Sequence, residues 1–333
     1  MRTFCKVCSS SADSFNFGAL TCRACSAFFR RCVLQNYEPI NSCDEKCEIS
    51  AKSRRLCKNC RFEKCLSIGM KQYKVVMKIT PKSLRQNSFL HLIDIEKFDK
   101  KLEIAKTMNF EQTGNKKNDL INYPVFNDVF ARYSEIVMEN IEIAYPQSGG
   151  IEKSQRNILL NNFVAPFIFI EGAFISENLS LWVFPNGECL DSNRSECFYM
   201  MHENDETGAI SNKLFKPYWV KMHEKLRIPL EDAKLNKAEL FYLFSLIFWD
   251  DKLDGQSEKV SELCRIQRQK LFTELIEYEK QWCSTDTSLR IGKILLLLPA
   301  VQSAIQIMSE SSKIHVLYDV HDHHSSVFKS LGF

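Results

Sequence analysis

The first 65 residues hold ten of the chain's 14 cysteines, and the spacing of these cysteines limits how this segment can fold. Eight of the ten form two quartets, each made of two close pairs. The first quartet is Cys5, Cys8, Cys22 and Cys25, and the second is Cys43, Cys47, Cys57 and Cys60. A gap of two or three residues lets both thiolates of a pair reach one metal ion, and two pairs complete a tetrahedral sulfur shell. The spacing therefore predicts two zinc ions as cofactors.

Four thiolates fill the coordination shell of zinc and leave no position for water or substrate, so both predicted centres are structural rather than catalytic. Metal binding supplies folding free energy to a segment that is too small to bury a large core. Cys32 and Cys65 lie outside both quartets and are interpreted as small core residues.

Charge divides the chain in the same way as cysteine does. Residues 1–78 hold 15 Lys and Arg against 6 Asp and Glu, whereas the remainder of the 333 residues holds 29 against 35. The longest strictly apolar runs, Phe163–Ile170 and Ile294–Val301, are eight residues long, and about 20 are needed to span a bilayer. No secretory leader is recognised at the start. We therefore expect no membrane association, and a cytosolic or nuclear compartment where cysteine clusters hold metal.

The residues that follow Cys22 predict an amphipathic helix. Ala24, Phe28 and Cys32 recur at four-residue steps, and Phe29 widens this apolar face. Another face is covered by Arg23, Ser26, Ala27, Arg30 and Arg31 and is mainly basic. Such a helix, fixed at its start by a metal centre, suits insertion into the major groove of DNA. A merely solvated charged face is the alternative, and the metal anchor and the basic surplus of the segment count against it.

A second helix is predicted from Cys57 to Ile68, with Gly69 as its C-terminal stop. Three of its residues are expected to pack against the first helix: Phe62, Cys65 and Leu66. Basic residues at and before its start are expected to bind DNA phosphates and to contribute a nuclear import signal: Lys52, Arg54, Arg55 and Lys58.

With these features, the segment Cys5–Met70 resembles the two-zinc DNA-binding domain of nuclear hormone receptors. Its amino-acid sequence is most similar to those of the divergent nematode receptors. The resemblance is carried by Phe17-Gly18-Ala-Leu-Thr-Cys22, by Cys25-Ser-Ala-Phe-Phe-Arg-Arg31, and by Cys57-x2-Cys60-Arg-Phe-x-Lys-Cys65 with Gly69-Met70. It implies that the eight quartet cysteines are the zinc ligands. It also implies that Arg23, Ala24, Ser26 and Ala27 read the half-site, while Arg30 and Arg31 make base and phosphate contacts.

Two departures from the family pattern limit what the resemblance implies. The family commonly has Glu or Gly in place of Arg23 and Lys in place of Ser26, so the usual half-site is not assumed. The loop between Cys43 and Cys47 holds three residues instead of the typical five. Because that loop forms the DNA-bound dimer contact in relatives, the choice between monomer, homodimer and heterodimer stays open.

Residues 79–122 are polar and lysine-rich and predict a hinge with a short helix. Residues 123–333 predict a mostly helical domain, because apolar residues recur at three- and four-residue steps from Phe126 to Val137. The stretch Ile158–Val183 is strongly apolar and aromatic. Further long helices are expected over Leu235–Leu253, Val260–Trp282 and Ser288–Met308, with a short β-hairpin over Cys189–Met201. The phenylalanine-rich interior is compatible with a solid core or a cavity, with a solid core as the default.

The helical domain resembles, more weakly, the ligand-binding domain of the same family. Pro146 with Ile151, Gln155 and Ile158-Leu-Leu-Asn-Asn-Phe163 matches the signature region, and Lys237-Ala-Glu-Leu240 and Arg290–Gln302 match two later helices. Relatives bind coactivators through a lysine–glutamate charge clamp. Here Ile143, beside Glu142, stands at the lysine position, and Ser325–Phe333 has no carboxylate side chain. We therefore hypothesise that this protein is a poor ligand-dependent activator. Micromolar affinity of the isolated helical domain for a leucine-rich coactivator peptide would contradict this hypothesis.

The sequence thus predicts a small, α-rich module with two four-cysteine zinc centres and irregular loops, followed by an all-α ligand-binding-type domain with a short β-hairpin. The expected function is a nuclear, sequence-specific transcription factor that binds double-stranded DNA, regulates transcription by RNA polymerase II and responds to a small lipophilic ligand and co-regulator proteins. The alternative is a ligand sensor or co-regulator that acts mainly through protein partners. No enzyme is expected, since no nucleophile–base set or phosphate-binding loop is recognised. His321, His323 and His324 are interpreted as solvated.

Overall fold

A computed structural model of the chain describes residues 3–12, 14–34, 37, 47–51, 57–72, 75, 90–110, 119–176, 178–199, 206–282 and 286–318. Its buried apolar residues form two separate clusters. One cluster runs from Cys5 to Val75 and is the core of the zinc module. The other runs from Leu92 to Met308 and is the core of the helical body. Each part of the chain therefore has a hydrophobic core of its own.

The zinc module opens with a small antiparallel hairpin, in which β1 (Phe15–Asn16) pairs with β2 (Ala19–Leu20). Its two-residue turn, Phe17-Gly18, has φ values of +54° and +102°, the left-handed backbone of a tight hairpin turn. A Cβ on Gly18 would lie 2.7 Å from the carbonyl oxygen of Gly69, so glycine is required here by space as well as by φ. The Lys71 N–H donates to the Phe17 carbonyl at 2.7 Å. The hairpin turn is thus held against the residues that follow the second helix.

Helices α1 (Arg23–Leu34) and α2 (Lys58–Ser67) pack through a row of aromatic rings. The Phe29 ring lies between Phe17, at a centroid distance of 5.8 Å, and Phe62, at 5.6 Å. Both helices lie close to their predicted bounds. Two packing predictions were wrong, because Ala24 and Leu66 are exposed, and Phe28, Phe29, Cys32, Phe62 and Cys65 form the packed face without them.

The C-terminus of α2 confirms the predicted stop at Gly69, whose φ is +93°. The Gly69 N–H donates to the Leu66 carbonyl at 2.9 Å, and the Met70 N–H donates to the Cys65 carbonyl at 3.1 Å. These are the two hydrogen bonds of a Schellman cap, and Met70 and Cys65 supply its apolar contact since both are buried.

Helix α3 (Leu90–Asn109) differs from the short hinge helix predicted within residues 79–122. It is 20 residues long, and Leu92, Ile95, Phe98 and Leu102 belong to the core of the body. Its lysines suggested a linker, but the exposed Lys97 and Lys100 lie on the opposite side of the helix and pair locally, with Asp94 at 2.9 Å and with Glu96 at 2.8 Å. Burial of one apolar stripe therefore makes this segment part of the body.

The remaining helices pack around a central helix, α5, which is almost wholly apolar from Phe163 onward. Their bounds are α4 Tyr123–Ala144, α5 Lys153–Ile175, α6 Glu196–Tyr199, α7 Glu206–Met222, α8 Ile228–Ala233, α9 Lys237–Phe248, α10 Glu258–Trp282, α11 Thr287–Leu295 and α12 Leu297–Tyr318. Short 3₁₀ segments cover Pro146–Gly150 and Ser192–Arg194, and a π-helical turn covers His223–Arg227. The helix predicted over Ser288–Met308 is interrupted at Leu296, because Pro299 has no N–H to continue the helical bonding.

The predicted hairpin over Cys189–Met201 was placed too late in the chain. Strand β3 (Leu181–Val183) pairs antiparallel with β4 (Cys189–Asp191), and a 3₁₀ segment and α6 follow. The turn contains Asn186-Gly187, with Gly187 at a φ of +85°. On α5, a Cβ at Gly172 would lie 2.5 Å from the Val183 carbonyl oxygen, so this glycine lets the helix approach the strand backbone.

Two stretches, Lys153–Ile175 and Thr287–Ile314, are long and apolar enough to cross a membrane by length and composition. In the most apolar window of the first, 67% of residues are buried in the fold, against 28% in the second. The core helix of a soluble protein passes the same test, so this is weak evidence for a membrane segment. The first stretch is the central helix of the body's core.

A buried ion pair joins the two later motifs that resemble the ligand-binding domain. Glu239, in the first turn of α9, accepts from both Nε and Nη2 of Arg290 on α11, the latter at 2.6 Å. The guanidinium also donates to the carbonyls of Ala233 and Lys234, at 2.7 and 3.0 Å. These three partners are hydrogen-bond acceptors at the α8–α9 junction, as a buried guanidinium requires.

Candidate zinc centres and nucleic-acid interface

The first cysteine quartet is assembled by a tight turn and a helix start. The Cys5 N–H donates to the Ser10 carbonyl at 2.7 Å, and the Ser9 N–H returns to the Cys5 carbonyl at 2.9 Å, which folds the chain so that Cys8 approaches Cys5. Cys22 directly precedes α1, and Cys25 lies in its first turn. The positive end of the helix dipole therefore faces the thiolates.

The geometry of this quartet fits a zinc ion. The four sulfur atoms of Cys5, Cys8, Cys22 and Cys25 all lie within 4.8 Å of one another. The sulfurs of Cys8 and Cys22 are 3.7 Å apart, and tetrahedral zinc with bonds of about 2.3 Å requires about 3.8 Å. The residues present can thus hold the ion with four thiolates and no open position.

The electrostatic surroundings of the four sulfurs are uneven. Burial raises the pKa of Cys22, but hydrogen bonds from Ser10, from the Cys25 backbone and from neighbouring thiols outweigh it and bring this pKa down to about 6. Burial raises the pKa of Cys25, and a hydrogen bond from Arg61 opposes that rise. A thiolate at Cys22 is therefore available near neutral pH, whereas Cys25 depends on the metal and on Arg61 for its ionised form.

The second quartet is described for three of its four cysteines, and Cys43 lies outside the described residues. Sulfur atoms of Cys47, Cys57 and Cys60 lie within 4.8 Å of one another. Cys57 is the N-terminal cap residue of α2, Cys60 lies in its first turn, and the Arg61 N–H donates to the Cys57 carbonyl at 3.1 Å. Both centres thus sit at the start of a helix, and each centre fixes the helix that it begins.

The two cysteines outside the quartets are core residues, as predicted. Cys32 and Cys65 are buried, at 1% and 0% exposure, and neither belongs to a sulfur cluster of the described chain. Burial raises the pKa of Cys32, and it raises that of Cys65 to about 12. Both side chains therefore remain thiols at neutral pH.

Helix α1 separates its buried face from the residues predicted to contact DNA. With 3.6 residues per turn, those six residues span an arc of about 160° on one side of the helix. Arg23, Ala24 and Arg31 are exposed and the other three, Ser26, Ala27 and Arg30, are half-buried. The opposite side is buried and consists of Cys25, Phe28, Phe29, Cys32 and Val33. The helix contains three arginines and no acidic residue.

The other predicted phosphate contacts are only partly described. Lys52, Arg54 and Arg55 lie outside the described residues. Lys58 is exposed at the start of α2, with its ammonium nitrogen 3.8 Å from the centre of the Tyr37 ring. Sequence reasoning missed the role of Arg61, which reaches the first centre; its place directly after the ligand Cys60 was the available signal.

The body interior is built from aromatic rings that pack directly on one another. Phe126 contacts Phe184 and Phe198, at centroid distances of 5.1 and 5.3 Å, and the Trp182 ring stands nearly perpendicular to Phe169 at 5.7 Å. Trp182 is fully buried, and its indole N–H has no hydrogen-bond partner among the described residues. This cluster joins α4, α5, β3, α6 and the Trp219 ring of α7.

The position predicted for the coactivator lysine carries an apolar side chain that packs inward. Ile143 is partly buried against the core, and Glu142 beside it pairs with Arg156 at the start of α5. Ser325–Phe333 and the histidines at 321, 323 and 324 lie outside the described residues.

Each of the two parts of the chain matches a known protein family. Residues 3–72 match the double treble clef zinc finger of C4 type, and residues 111–315 match the ligand-binding domain of nuclear hormone receptors. The zinc module therefore binds zinc, and its two cysteine clusters fit two ions.

Relatives match the chain over nearly its whole length. Nuclear hormone receptor family member nhr-42 of Caenorhabditis elegans is 32% identical, with 98% of this chain and 97% of the relative covered. Two further C. elegans relatives, nhr-176 and nhr-108, are each 29% identical over 95% of this chain, with 92% and 94% of their own lengths covered. The extent of these matches and the paired four-cysteine zinc centres show that this chain belongs to the nuclear hormone receptor family.

Proposed function

We propose that this protein is a sequence-specific, double-stranded DNA-binding transcription factor that acts in the nucleus on RNA polymerase II genes. Members of its family are generally nuclear, non-enzymatic transcription factors. The observation that carries the proposal is the basic, solvent-facing side of α1, which begins at a closed metal centre and contains three arginines and no acidic residue. A rigid basic helix of this kind matches the width and charge of the major groove.

In this proposal the zinc ions hold the reading helix rather than take part in recognition. When bound, each ion cross-links a loop to a helix start. The chain's own residues then act on DNA: Arg30 and Arg31 bind phosphates or guanine edges, and Arg23 and Ser26 read bases. Ala24 and Ala27 offer methyl groups, which suit contact with thymine methyls. An arginine and a serine at the reading positions favour a half-site different from the family's usual one.

Substitution of Arg31 by alanine tests this docking. Arg31 is exposed and lies on the proposed reading side, so its loss should weaken binding to a selected DNA site by about 1–3 kcal/mol if it grips a guanine. If it grips a phosphate instead, affinity should fall on all sequences, and the slope of log K against log salt should decrease by about 1. Gel-shift titrations at several salt concentrations, on sites selected from random DNA, measure both effects.

Arg132→Ala is the matched control, because Arg132 is also an exposed arginine and, among the described residues, pairs with Asp128 on α4 at 3.0 Å. It should leave DNA binding unchanged. Equal affinities for the parent chain and Arg31→Ala would contradict the proposed docking. DNA binding that is undetectable or insensitive to salt for the parent chain would favour the alternative, a sensor acting through protein partners.

We also propose that a small lipophilic ligand controls the body at the aromatic cluster around Trp182. An interior of packed rings with one unpartnered indole N–H suits an apolar molecule that carries a single hydrogen-bond acceptor. Such a ligand must displace rings to enter, so the unfolding temperature of the full chain should rise most for compounds with an acceptor that satisfies the indole.

Trp182→Phe keeps an aromatic ring and removes the donor. Lipophilic ketones that raise the unfolding temperature of the parent chain should bind this variant about tenfold more weakly, which corresponds to one hydrogen bond of about 1.4 kcal/mol. Matched hydrocarbons without the carbonyl should bind both chains equally. Ketones that bind both chains with the same affinity, or that fail to stabilise the parent chain, would reject this site.

A further inference from the structure

Arg61 connects the two zinc centres by a path of only a few bonds. It follows the second-centre ligand Cys60 directly in sequence and lies in the first part of α2. Its side chain points to the other centre, where Nη2 donates to the sulfur of Cys25 at 3.3 Å. One residue is therefore tied to the second centre through its backbone and to the first centre through its guanidinium.

The guanidinium is held in place by its surroundings. Its central carbon lies 4.3 Å from the centre of the Phe28 ring, a cation–π geometry. The Nε atom of Arg61 is buried and has no hydrogen-bond partner among the described residues. Cys25 is fully buried, so the N–H···S bond is shielded from water. These contacts leave the side chain little freedom to turn away from Cys25.

The hydrogen bond from Arg61 to Cys25 should stabilise the first centre when zinc is bound. A zinc ion with four thiolates carries a double negative charge, which is costly to bury without a nearby cation or hydrogen-bond donor. A charge-assisted hydrogen bond stabilises the thiolate over the thiol and so favours the metal-bound state. Groups that orient and polarise metal ligands in this way commonly change metal affinity by about 10- to 100-fold.

We propose that Arg61 couples the two zinc centres, so that metal in the second centre strengthens metal binding at the first. Metal at Cys57 and Cys60 fixes the start of α2, and this places Arg61 against Cys25. Loss of the second metal frees the helix start and removes the donor from Cys25. By linkage, occupancy of the first centre strengthens metal binding at the second by the same factor. The coupling does not depend on DNA binding.

A double-mutant cycle on the full chain tests the coupling, with cobalt and zinc as probes. Cys57→Ser removes the second centre, and Arg61→Met removes the donor but keeps an apolar stem over Phe28. Competition with a chromophoric chelator gives the zinc affinity of the first centre. Arg61→Met and Cys57→Ser should each lower that affinity by about 10-fold or more. The two changes together should cost little more than either alone, because both remove the same interaction.

Lys64→Met is the matched control, since Lys64 is a partly exposed cation of the same helix whose side chain shows no bond to a zinc ligand among the described residues. It should leave the affinity of the first centre unchanged. If Cys57→Ser lowers this affinity equally in the parent and Arg61→Met backgrounds, the coupling runs through general packing and the proposal fails.

The absorption spectrum of the cobalt-loaded chain gives a second measurement, which a change in folding stability alone does not alter. A hydrogen bond lowers the energy of the sulfur lone pair, so its removal should shift the sulfur-to-cobalt charge-transfer band of the first centre to lower energy in Arg61→Met. Arg61→Lys keeps the positive charge and a hydrogen-bond donor, so its band should lie between those of Arg61→Met and the parent chain. Identical bands in the parent chain and Arg61→Met would overturn the proposal even if the metal affinities differ.

Discussion

His91 and Glu274 are two neighbouring groups in the body whose pKa values move in opposite directions from their ordinary values. His91 lies in the first turn of α3, where its ring stacks on Tyr145 at 5.8 Å and bonds to Ser245. Burial lowers the pKa of His91 to about 3. Burial raises the pKa of Glu274, on α10, to about 7, against the opposing effect of a hydrogen bond from the His91 backbone N–H.

These shifts predict opposite effects of pH on stability. Between pH 3 and 6.5 the unfolded chain binds the His91 proton and the folded chain does not, so this group makes stability rise with pH. Between pH 4.5 and 7 the folded chain retains the Glu274 proton that the unfolded chain has lost, so this group makes stability fall with pH. Where the two ranges overlap, from about pH 4.5 to 6.5, the two effects largely cancel.

Glu274→Gln should therefore expose the His91 effect. The difference in unfolding free energy between this variant and the parent chain should rise from pH 4.5 to 7, by at most about 1.4 kcal/mol per pH unit. For His91→Phe, which keeps the stacked ring, the corresponding difference should fall from pH 3 to 6.5. Urea titrations at closely spaced pH values measure both. Differences that do not change with pH in either variant would show that the two groups titrate normally in the folded chain.

The zinc ligands were predictable from the sequence because they follow a repeated spacing. Hydrogen-bond partners that only the folding of the chain brings together were not predictable. The seven described quartet cysteines converge as their spacing required, since metal chemistry constrains the intervals between ligands. The bond from Arg61 to Cys25 spans 36 residues, and that from Arg290 to Glu239 spans 51. Nothing in local spacing reports such a pair, because its geometry depends on how whole helices pack.

At the level of elements, helix existence was predictable and two boundaries were not. Apolar residues at three- and four-residue steps gave α4 and α10 close to their observed bounds. The β-hairpin lies earlier than predicted because its turn is formed by Asn186-Gly187, a strong turn signal shortly after the apolar stretch Ile158–Val183. Strand β3 is short and lies at the end of that run, where periodicity alone does not separate a strand from a buried helix.

Helix α3 shows why composition alone misjudges a lysine-rich segment. Its lysines suggested a solvated hinge, but one of them pairs across the fold. Lys106 is almost fully buried and donates to Glu171 on α5 at 2.8 Å, and Glu171 also accepts from Tyr133 at 2.7 Å. Burial lowers the pKa of Lys106, and the two carboxylates of Glu171 and Glu103 outweigh that effect and raise it. A charged residue with such partners marks a packed helix rather than a linker.

For the molecule as a whole, the two separate cores imply that the zinc module and the body lose their structures in distinct transitions. The module's stability is set by metal binding, since its core is small and its helices begin at the two centres. The body's stability is set by apolar burial that includes α3. Removing metal with a chelator should thus abolish the module's fold and leave the body's unfolding transition in place.

Phe98→Ala tests whether α3 belongs to the body. Phe98 is 1% exposed and contacts the Phe167 ring of α5 at 6.0 Å, so truncation should destabilise the body by about 3–5 kcal/mol. Met108→Ala, on the same helix but 81% exposed, should change the free energy of unfolding by less than about 0.5 kcal/mol.

Denaturant titrations of the full chain, followed by tryptophan fluorescence, report the unfolding of the body, because all four tryptophans lie in it. The cobalt–thiolate absorption of the module should be the same in both variants. A Phe98→Ala chain as stable as the parent would return α3 to the status of a linker, and a shift in the metal transition would show that the two cores unfold as one.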